Sequence, residues 1–369
     1  MLILPEYPWS ALAPFTAKAS EHPEGAADLS IGTPVDPTPE IIQDALRAGA
    51  NAPGYPTTHG KLELREAIVE WYARRRNVHG LSPDNVMPTV GSKEMVAWLP
   101  LLLGLGVGDL VVRPKVAYPT YDMGARLAGA DSIAADTLSE LSNADRERVK
   151  LVWVNSPGNP TGIVRNTSEL KALVDEVRAI GAIVASDECY AELGWGEYEK
   201  GVPSLLEDAV SGGDHTGLIS VYSLSKQSNL AGYRAAFVAG APDLMPALIN
   251  SRKHAGMIVP APVQDAMRVA LADEAHVAAQ KSLYRARREA LIPALEGFGL
   301  RIEDSVAGLY LWCTADEDCW ITMGRLAELG IIAGPGAFYG DAGNKYVRIA
   351  LTASDERIAS AVQRLNAAR

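Results

Sequence analysis

The segment Ser223-Leu224-Ser225-Lys226 directly follows an apolar run, Leu218 to Tyr222, and Arg234 comes eight residues after the lysine, within LAGYRAAF. A lysine just past a buried strand is poorly solvated and loses its proton readily, which makes its ε-amine a nucleophile. An aldehyde cofactor would be captured by that amine as a Schiff base. Ser223 and Arg234 could then hold a phosphate, the arginine through a bidentate fork. A surface lysine and arginine in an ordinary loop would have the same spacing.

Four further features could complete such a site. Asp187 ends the apolar run of VASDECY, with Tyr190 three residues on. A buried carboxylate needs a cationic partner, and a protonated pyridine nitrogen is one that also turns its ring into an electron sink. Tyr190 could reach a phenolic oxygen on that ring. A helix-capping aspartate is the alternative. The turn Asn155-Ser156-Pro157-Gly158-Asn159-Pro160-Thr161-Gly162 carries two prolines and two glycines, which fix Asn159 in one orientation as a donor. Gly91-Ser92-Lys93 opens a helix whose free backbone N–H groups suit a phosphate, although any serine can cap a helix. Arg348 sits in the apolar strand YVRIAL, where an arginine needs an anion: a substrate α-carboxylate or an internal acid.

The elements that must place these residues can be read from the chain. A helix is expected over Leu62 to Arg76, a short strand over Val86 to Val90, and a helix from near Ser92. Leu110 to Val112, Leu151 to Val154, Ile183 to Ala185, Leu218 to Tyr222 and Ala235 to Val238 read as buried strands alternating with helices such as Thr167 to Ile180. This is an α/β fold, with a mainly parallel sheet covered by helices, and ligands bind beyond the carboxyl ends of such strands. GLGVGD, Gly104 to Asp109, follows a helix rather than a strand and reads as a plain turn, not a dinucleotide fingerprint. A charged helical region, Gln264 to Leu295, then precedes a strand pair around Gly308 to Trp312 and Tyr346 to Leu351 and a last helix. These form a smaller α+β domain. The expected division is an N-terminal arm over 1–45 packing on the small domain, a large cofactor-binding domain over 46–250, and the small domain over 251–369.

Bulk composition sets the class. The 369 residues are 48% hydrophobic and 21% charged, with a net charge of −11. That balance is ordinary for a globular protein and disfavours nucleic-acid or anionic-membrane partners. No internal repeat or low-complexity tract is present. Cys189, Cys313 and Cys319 are too few and scattered for a disulfide framework and read as packed thiols in a reducing compartment. The histidines show no metal-ligand spacing, so no metal is expected. The start, MLILPEYPWS, lacks a basic stretch, and Pro100, Gly104 and Gly106 break the longest apolar run, so a cytoplasmic location is expected. The sequon Asn166-Thr167-Ser168 reads as chance in that compartment.

Taken together, Tyr55, Gly91-Ser92, Tyr118, Asn159, Asp187, Tyr190, Ser223, Lys226, Arg234 and Arg348, in that order, resemble the fold-type I, pyridoxal-phosphate-dependent aminotransferases of class I/II. The 39-residue step from Asp187 to Lys226 agrees with the same pattern. The resemblance runs from SIGTPVDP to the final helix. It implies that Lys226 carries pyridoxal 5′-phosphate and shuttles the substrate proton. It implies that Asp187 pairs with the ring nitrogen, that Asn159 and Tyr190 hold the phenolic oxygen, and that Tyr118 stacks on the ring. Gly91, Ser92, Lys93, Ser223 and Arg234 would surround the phosphate. Tyr55 would reach the phosphate of a neighbouring subunit, which implies a homodimer, and Arg348, helped by Gly32, would clamp the α-carboxylate. Within the family, stretches such as APGYPTTHG, AYPTYDMGARLAGA, RKHAGMIVPAPVQ and AGLYLW resemble actinobacterial N-succinyldiaminopimelate aminotransferases. The implied reaction moves the amino group of glutamate to N-succinyl-2-amino-6-oxopimelate, ping-pong through a pyridoxamine form, in lysine and diaminopimelate biosynthesis.

The sequence departs from the aspartate aminotransferases at one point: no arginine clearly matches the one that binds a side-chain carboxylate. Arg252 and Lys253 in SRKHAG are candidates, or else a solvated basic helix end. A pyridoxal-phosphate β-lyase acting on sulfur amino acids, or an aminotransferase of other amino acids, would share this cofactor site. A non-enzymatic regulator would need an attached DNA-binding segment, for which the chain shows no spare N-terminal domain.

Overall fold

The computed structural model describes residues 8–368. The first seven residues of the expected arm, and Arg369 of the small domain, lie outside them. Its centre is a seven-stranded sheet in the order Val86–Val90, Ala235–Gly240, Leu218–Ser223, Ile183–Asp187, Val149–Asn155, Leu110–Arg113, Asp131–Ala134. Neighbours from Leu218–Ser223 to Asp131–Ala134 pair in parallel, while Ala235–Gly240 is antiparallel to both strands beside it.

The apolar strands run nearly unbroken because both faces are covered. Successive residues alternate between two cores. Val111, Leu151, Trp153, Ala185, Ile219 and Val238 pack with Met95, Leu99 and Tyr121 on one face. Val112, Val152, Val154, Val184, Tyr222 and Phe237 pack with Trp71, Val174 and Met267 on the other. The helices expected over Leu62–Arg76 and from Ser92 are present, and Thr167–Ala179 is capped by Asn166 in a reciprocal box with Glu169. That capping role uses the asparagine of the sequon. The Gly104 to Asp109 segment is a turn in which Gly106 N–H donates to Asp109 at 2.9 Å.

The second core gathers Tyr284, Leu291, Leu309, Leu311, Met323, Val347 and Ile358. Its four-stranded antiparallel sheet has the order Gly334–Pro335, Tyr346–Ala350, Tyr310–Thr314, Arg301–Glu303. The strand expected from Gly308 begins at Tyr310, because Gly308 takes a left-handed φ of +85°. The charged helix expected over 264–295 is two helices, Ala261–Ala272 and Ala275–Gly297. They break where extended Asp273 accepts hydrogen bonds from His276 N–H and Nδ1 at 3.0 and 2.7 Å.

The helix before that break packs with the large sheet. Position 251 falls inside the helix Met245–Ala255, and Ala266, Met267, Ala270 and Leu271 belong to the large core. The arm packs on the small domain through Leu12, Ala27 and Leu29, with Ala27–Asp28 pairing in parallel with Ile331–Ile332. Its expected end at 45 falls within the helix Glu40–Ala48, whose Ile42 joins the large core. Among the described residues no helix is long and apolar enough to cross a membrane.

Candidate active site

Strand direction gathers the chemistry at one edge of the sheet. Val90, Asn155, Asp187 and Ser223 all end their strands there. The reversed strand begins where the others finish, with Val90 opposite Ala235 and Ser223 opposite Ala236. Arg234 thereby lands beside Gly91, whose N–H donates to the Arg234 carbonyl at 2.9 Å. Gly91 has φ +76°, and a Cβ there would lie 2.1 Å from Arg234 Nη2, so only glycine leaves room for the guanidinium. Gly91 caps the helix from Ser92 without a side-chain bond, which leaves N–H groups of the first turn for an anion. Ser223 Oγ accepts from Ser225 N–H at 3.2 Å and donates to Ser225 Oγ at 2.9 Å, folding the lysine loop back on the strand end.

The NSPGNPTG turn is pinned by Asn155. Its Nδ2 donates to the carbonyls of Pro157 and Asp187 at 3.0 and 2.9 Å, and its Oδ1 accepts from Asn159 N–H at 2.7 Å. Both X–Pro bonds in the turn, at Pro157 and Pro160, are cis. Asp187 is buried and does not cap a helix. One carboxylate oxygen accepts from Cys189 N–H at 3.2 Å and the other from the Tyr121 hydroxyl at 3.0 Å. Burial raises its pKa above the ordinary carboxylate range, against the pull of these donors. Lys226 shows the complementary effect: burial lowers its pKa, and its ammonium donates to the Gly32 carbonyl.

Arg348 enters from the small domain, opposite Trp312 and Gly334 in its sheet. It is 4% exposed, yet its hydrogen bonds go to neutral oxygens: Asn159 Oδ1 at 2.9 Å and the Ser30 carbonyl. Its guanidinium carbon lies 4.0, 5.1 and 5.8 Å from the ring centres of Tyr310, Tyr339 and Trp9. A buried cation with neutral partners and a buried Nε without one is suited to an incoming carboxylate. The arm's Ser30 and Gly32 thus touch both key cations, Arg348 and Lys226.

One cavity of about 550 Å³ is lined by Gly32, Ser92, Lys93, Tyr118, Asn159, Asp187, Tyr190, Ser223, Lys226, Arg234 and Arg348. Gly91 stands behind the lining, against Arg234. Tyr55 is fully exposed (101%) and does not line this cavity. Arg252 is no substrate ligand: it is wholly buried, paired with Glu94 and bonded to the Met257 carbonyl at 3.1 Å. Lys253 lies exposed on the same helix and is not in the cavity wall either. The sequence reading missed Tyr121, which lies three residues past Tyr118, one helical turn on, and Tyr310, which stood in the AGLYLW stretch without a role. It also missed the apolar wall of Trp9, Val96, Ala97, Met123 and Phe338, which has no spacing signal because it comes from four separate segments.

This donor set fits pyridoxal phosphate. The glycine-cleared space beside Arg234, the first-turn N–H groups and Ser223 suit its phosphate. The buried Asp187, whose partners are neutral donors, suits a pyridinium nitrogen, and the depressed Lys226 suits its aldehyde.

Residues 25–365 match the family model described as aminotransferase class I and II. The chain is 52% identical over 362 residues to the 4-dedimethylamino-4-oxo-anhydrotetracycline transaminase OxyQ of Streptomyces rimosus, covering 98% of this chain and 99% of that protein. It is 51% identical, also over 362 residues, to a probable aminotransferase of Mycobacterium tuberculosis, covering 98% and 85%. Among solved structures it is similar to the N-succinyldiaminopimelate aminotransferase of Mycobacterium tuberculosis, with TM-score 0.84, 25% identity, and 99% and 100% of the two chains covered.

Proposed function

Because the chain belongs to the class I and II aminotransferases, which use pyridoxal phosphate, we propose that it carries the amino group of L-glutamate to N-succinyl-2-amino-6-oxopimelate. The products are 2-oxoglutarate and N-succinyl-LL-2,6-diaminopimelate. The observation that carries this reading is the placement of Lys226 and Arg348 in one cavity, bridged by the arm at Ser30 and Gly32. A nucleophilic amine and a carboxylate clamp facing one cavity suit an α-amino acid or α-keto acid.

Pyridoxal phosphate, when bound, supplies an aldehyde and an electron-withdrawing ring that makes the substrate Cα–H acidic. The protein's own residues do the rest. Lys226 Nζ, kept poorly solvated, would hold the aldehyde at rest and afterwards carry the Cα proton. Asp187 would keep the ring nitrogen protonated, while Asn159 and Tyr190 would hold the phenolic oxygen. Backbone at Gly91 and Ser92, with Lys93, Ser223 and Arg234, would fix the phosphate, and Tyr118 would cover the ring. Arg348 would orient the α-carboxylate so that the Cα–H bond stands within reach of Lys226. The working unit would be a homodimer, in which exposed Tyr55 reaches the partner's phosphate.

A second acceptor class, a bulky cyclic ketone, is favoured by the apolar wall of Trp9, Met123 and Phe338, and by the oxo-anhydrotetracycline for which the Streptomyces rimosus transaminase is named.

Glutamate alone, added to protein loaded with pyridoxal phosphate, tests the reaction class. Conversion of the visible absorption to that of the pyridoxamine form supports transamination; an unchanged spectrum with release of a β-substituent from sulfur amino acids identifies a lyase. Lys226→Ala should abolish borohydride-stable attachment of the cofactor. A panel of keto acids then settles the acceptor: preference for the succinylated one supports the reading, and equal rates on simple keto acids overturn it.

A further inference from the structure

Tyr310 has no part in the roles assigned above, yet it lies against Arg348, Tyr190 and Gly32 together. It opens the strand Tyr310–Thr314 and is buried. The Arg348 guanidinium carbon lies 4.0 Å from the centre of its ring, nearer than to Trp9 or Tyr339. Its hydroxyl stands 3.3 Å from that of Tyr190, with the two rings edge to face at 5.7 Å. The same hydroxyl occupies the space of a missing side chain, since a Cβ on Gly32 would lie 2.0 Å from it. Gly32 is the residue whose carbonyl holds Lys226. One tyrosine therefore underlies the carboxylate clamp, the lysine's resting partner and a proposed ligand of the phenolic oxygen.

We infer that Tyr310 is a positioning residue with two separable parts: a ring face that seats Arg348 for the substrate carboxylate, and a hydroxyl that braces Tyr190 and Gly32 beside the cofactor. The inference rests on the aminotransferase reading of this site. The ring contributes through the attraction between a guanidinium and an aromatic face, which is strongest where water is excluded. It also fixes the plane of Arg348, whose Nε has no hydrogen-bond partner of its own. The hydroxyl contributes through a chain of donors. A Tyr190 that accepts from Tyr310 is itself a stronger donor. Arg348 and Lys226 act on the Tyr310 hydroxyl in the same sense: their charges lower its pKa despite its burial.

Two substitutions separate the parts. Tyr310→Phe keeps the ring and removes the hydroxyl; Tyr310→Leu removes both. Each is measured as protein loaded with pyridoxal phosphate, by the pH midpoint of the visible absorption and by the dissociation constant of glutarate, a carboxylate that cannot react. Tyr310→Phe should hold glutarate within about threefold of wild type and move the absorption midpoint upward. A Tyr190 that has lost its neighbour donates less strongly, leaving more negative charge beside the Lys226 nitrogen, which keeps its proton to higher pH. Tyr310→Leu should weaken glutarate about tenfold or more and raise KM for glutamate more than it lowers kcat. If Tyr310→Leu does not fold, Tyr310→Phe and Tyr310→Trp carry the test, the latter expected to keep the clamp and lose the midpoint. An unchanged midpoint in Tyr310→Phe, or wild-type glutarate binding in Tyr310→Leu, overturns the inference. Wild-type protein without a Lys226-dependent visible band overturns the aminotransferase reading instead.

Discussion

The Tyr121 hydroxyl donates to a carboxylate oxygen of Asp187 at 3.0 Å, and the Cys189 N–H donates to the other at 3.2 Å. Both bonds favour the charged form of a carboxylate that burial would otherwise neutralise. Tyr121→Phe removes one of them while keeping the ring stacked on Trp153. The acid limb of the kcat/KM profile for glutamate should therefore move to higher pH, and kcat/KM at neutral pH should fall about tenfold. Steady-state rates across the pH range read both effects; an unmoved acid limb would show that Asp187 does not depend on Tyr121.

Asp187 also sets a pH dependence of stability. Its folded pKa is raised, so between the ordinary carboxylate value and the raised one the folded chain binds more protons than the unfolded chain. Stability attributable to this residue is fully present below that window and is lost as pH rises through it. Cofactor-free wild-type protein should therefore lose thermal stability relative to Asp187→Asn as pH climbs through the window. Adding pyridoxal phosphate should shrink the difference by giving the carboxylate a cation. Melting curves of both proteins, with and without cofactor, give the comparison.

Gly91→Ala should act on the cofactor more than on the fold. The new methyl group meets the Arg234 guanidinium, which is exposed and can swing away, while a backbone at φ +76° and ψ 155°, a region essentially reserved for glycine, costs about 1–3 kcal/mol. The expected result is a drop of a few degrees in melting temperature with at least about a tenfold weaker hold on pyridoxal phosphate. Fluorescence titration of the cofactor-free variant measures the second quantity. Wild-type affinity would remove Arg234 from the phosphate site.

Tyr55 projects fully into solvent from a proline- and glycine-rich loop, near further exposed apolar residues at Ile31, Val35, Ile41 and Leu62 along the same part of the chain. If it completes the partner's site, inactive Lys226→Ala chains should rescue Tyr55→Arg chains on mixing. Each hybrid dimer has one site with an intact lysine and an intact tyrosine. Equal mixing should restore about a quarter of wild-type activity, since half the dimers are hybrids with one good site each. No gain on mixing would place Tyr55 in its own chain's chemistry or in none.

The sheet and the residues at its cavity edge were legible because each lies next to a period or a turn that physics makes conspicuous. Asp187, Asn155 and Ser223 end or follow buried apolar runs, and the helix at Leu62–Arg76 stops at Asn77, which takes a left-handed backbone after three arginines. Tyr310 and Trp9 were illegible for the opposite reason. They meet Arg348 only in the fold, Tyr310 from the neighbouring strand and Trp9 from the far end of the chain, and an aromatic residue in an apolar stretch looks the same whether it fills a core or seats a cation. Arg252 misled in the reverse direction: a basic helix end next to Lys253 and His254 reads as solvated, yet its guanidinium is buried on Glu94. The break at Asp273 was hidden because the residues on both sides favour helix.

The one antiparallel strand of the large sheet makes the segment between Ser223 and Ala235 a closed ring. Its two ends are tied across the ladder, so residues cannot be inserted there without pushing either Lys226 or Arg234 out of place. Loops that join the parallel strands carry no such restriction, since a crossover can lengthen away from the sheet. The eight-residue interval between the lysine and the arginine is thus a distance imposed by strand pairing, and it should tolerate substitution far better than a change of length.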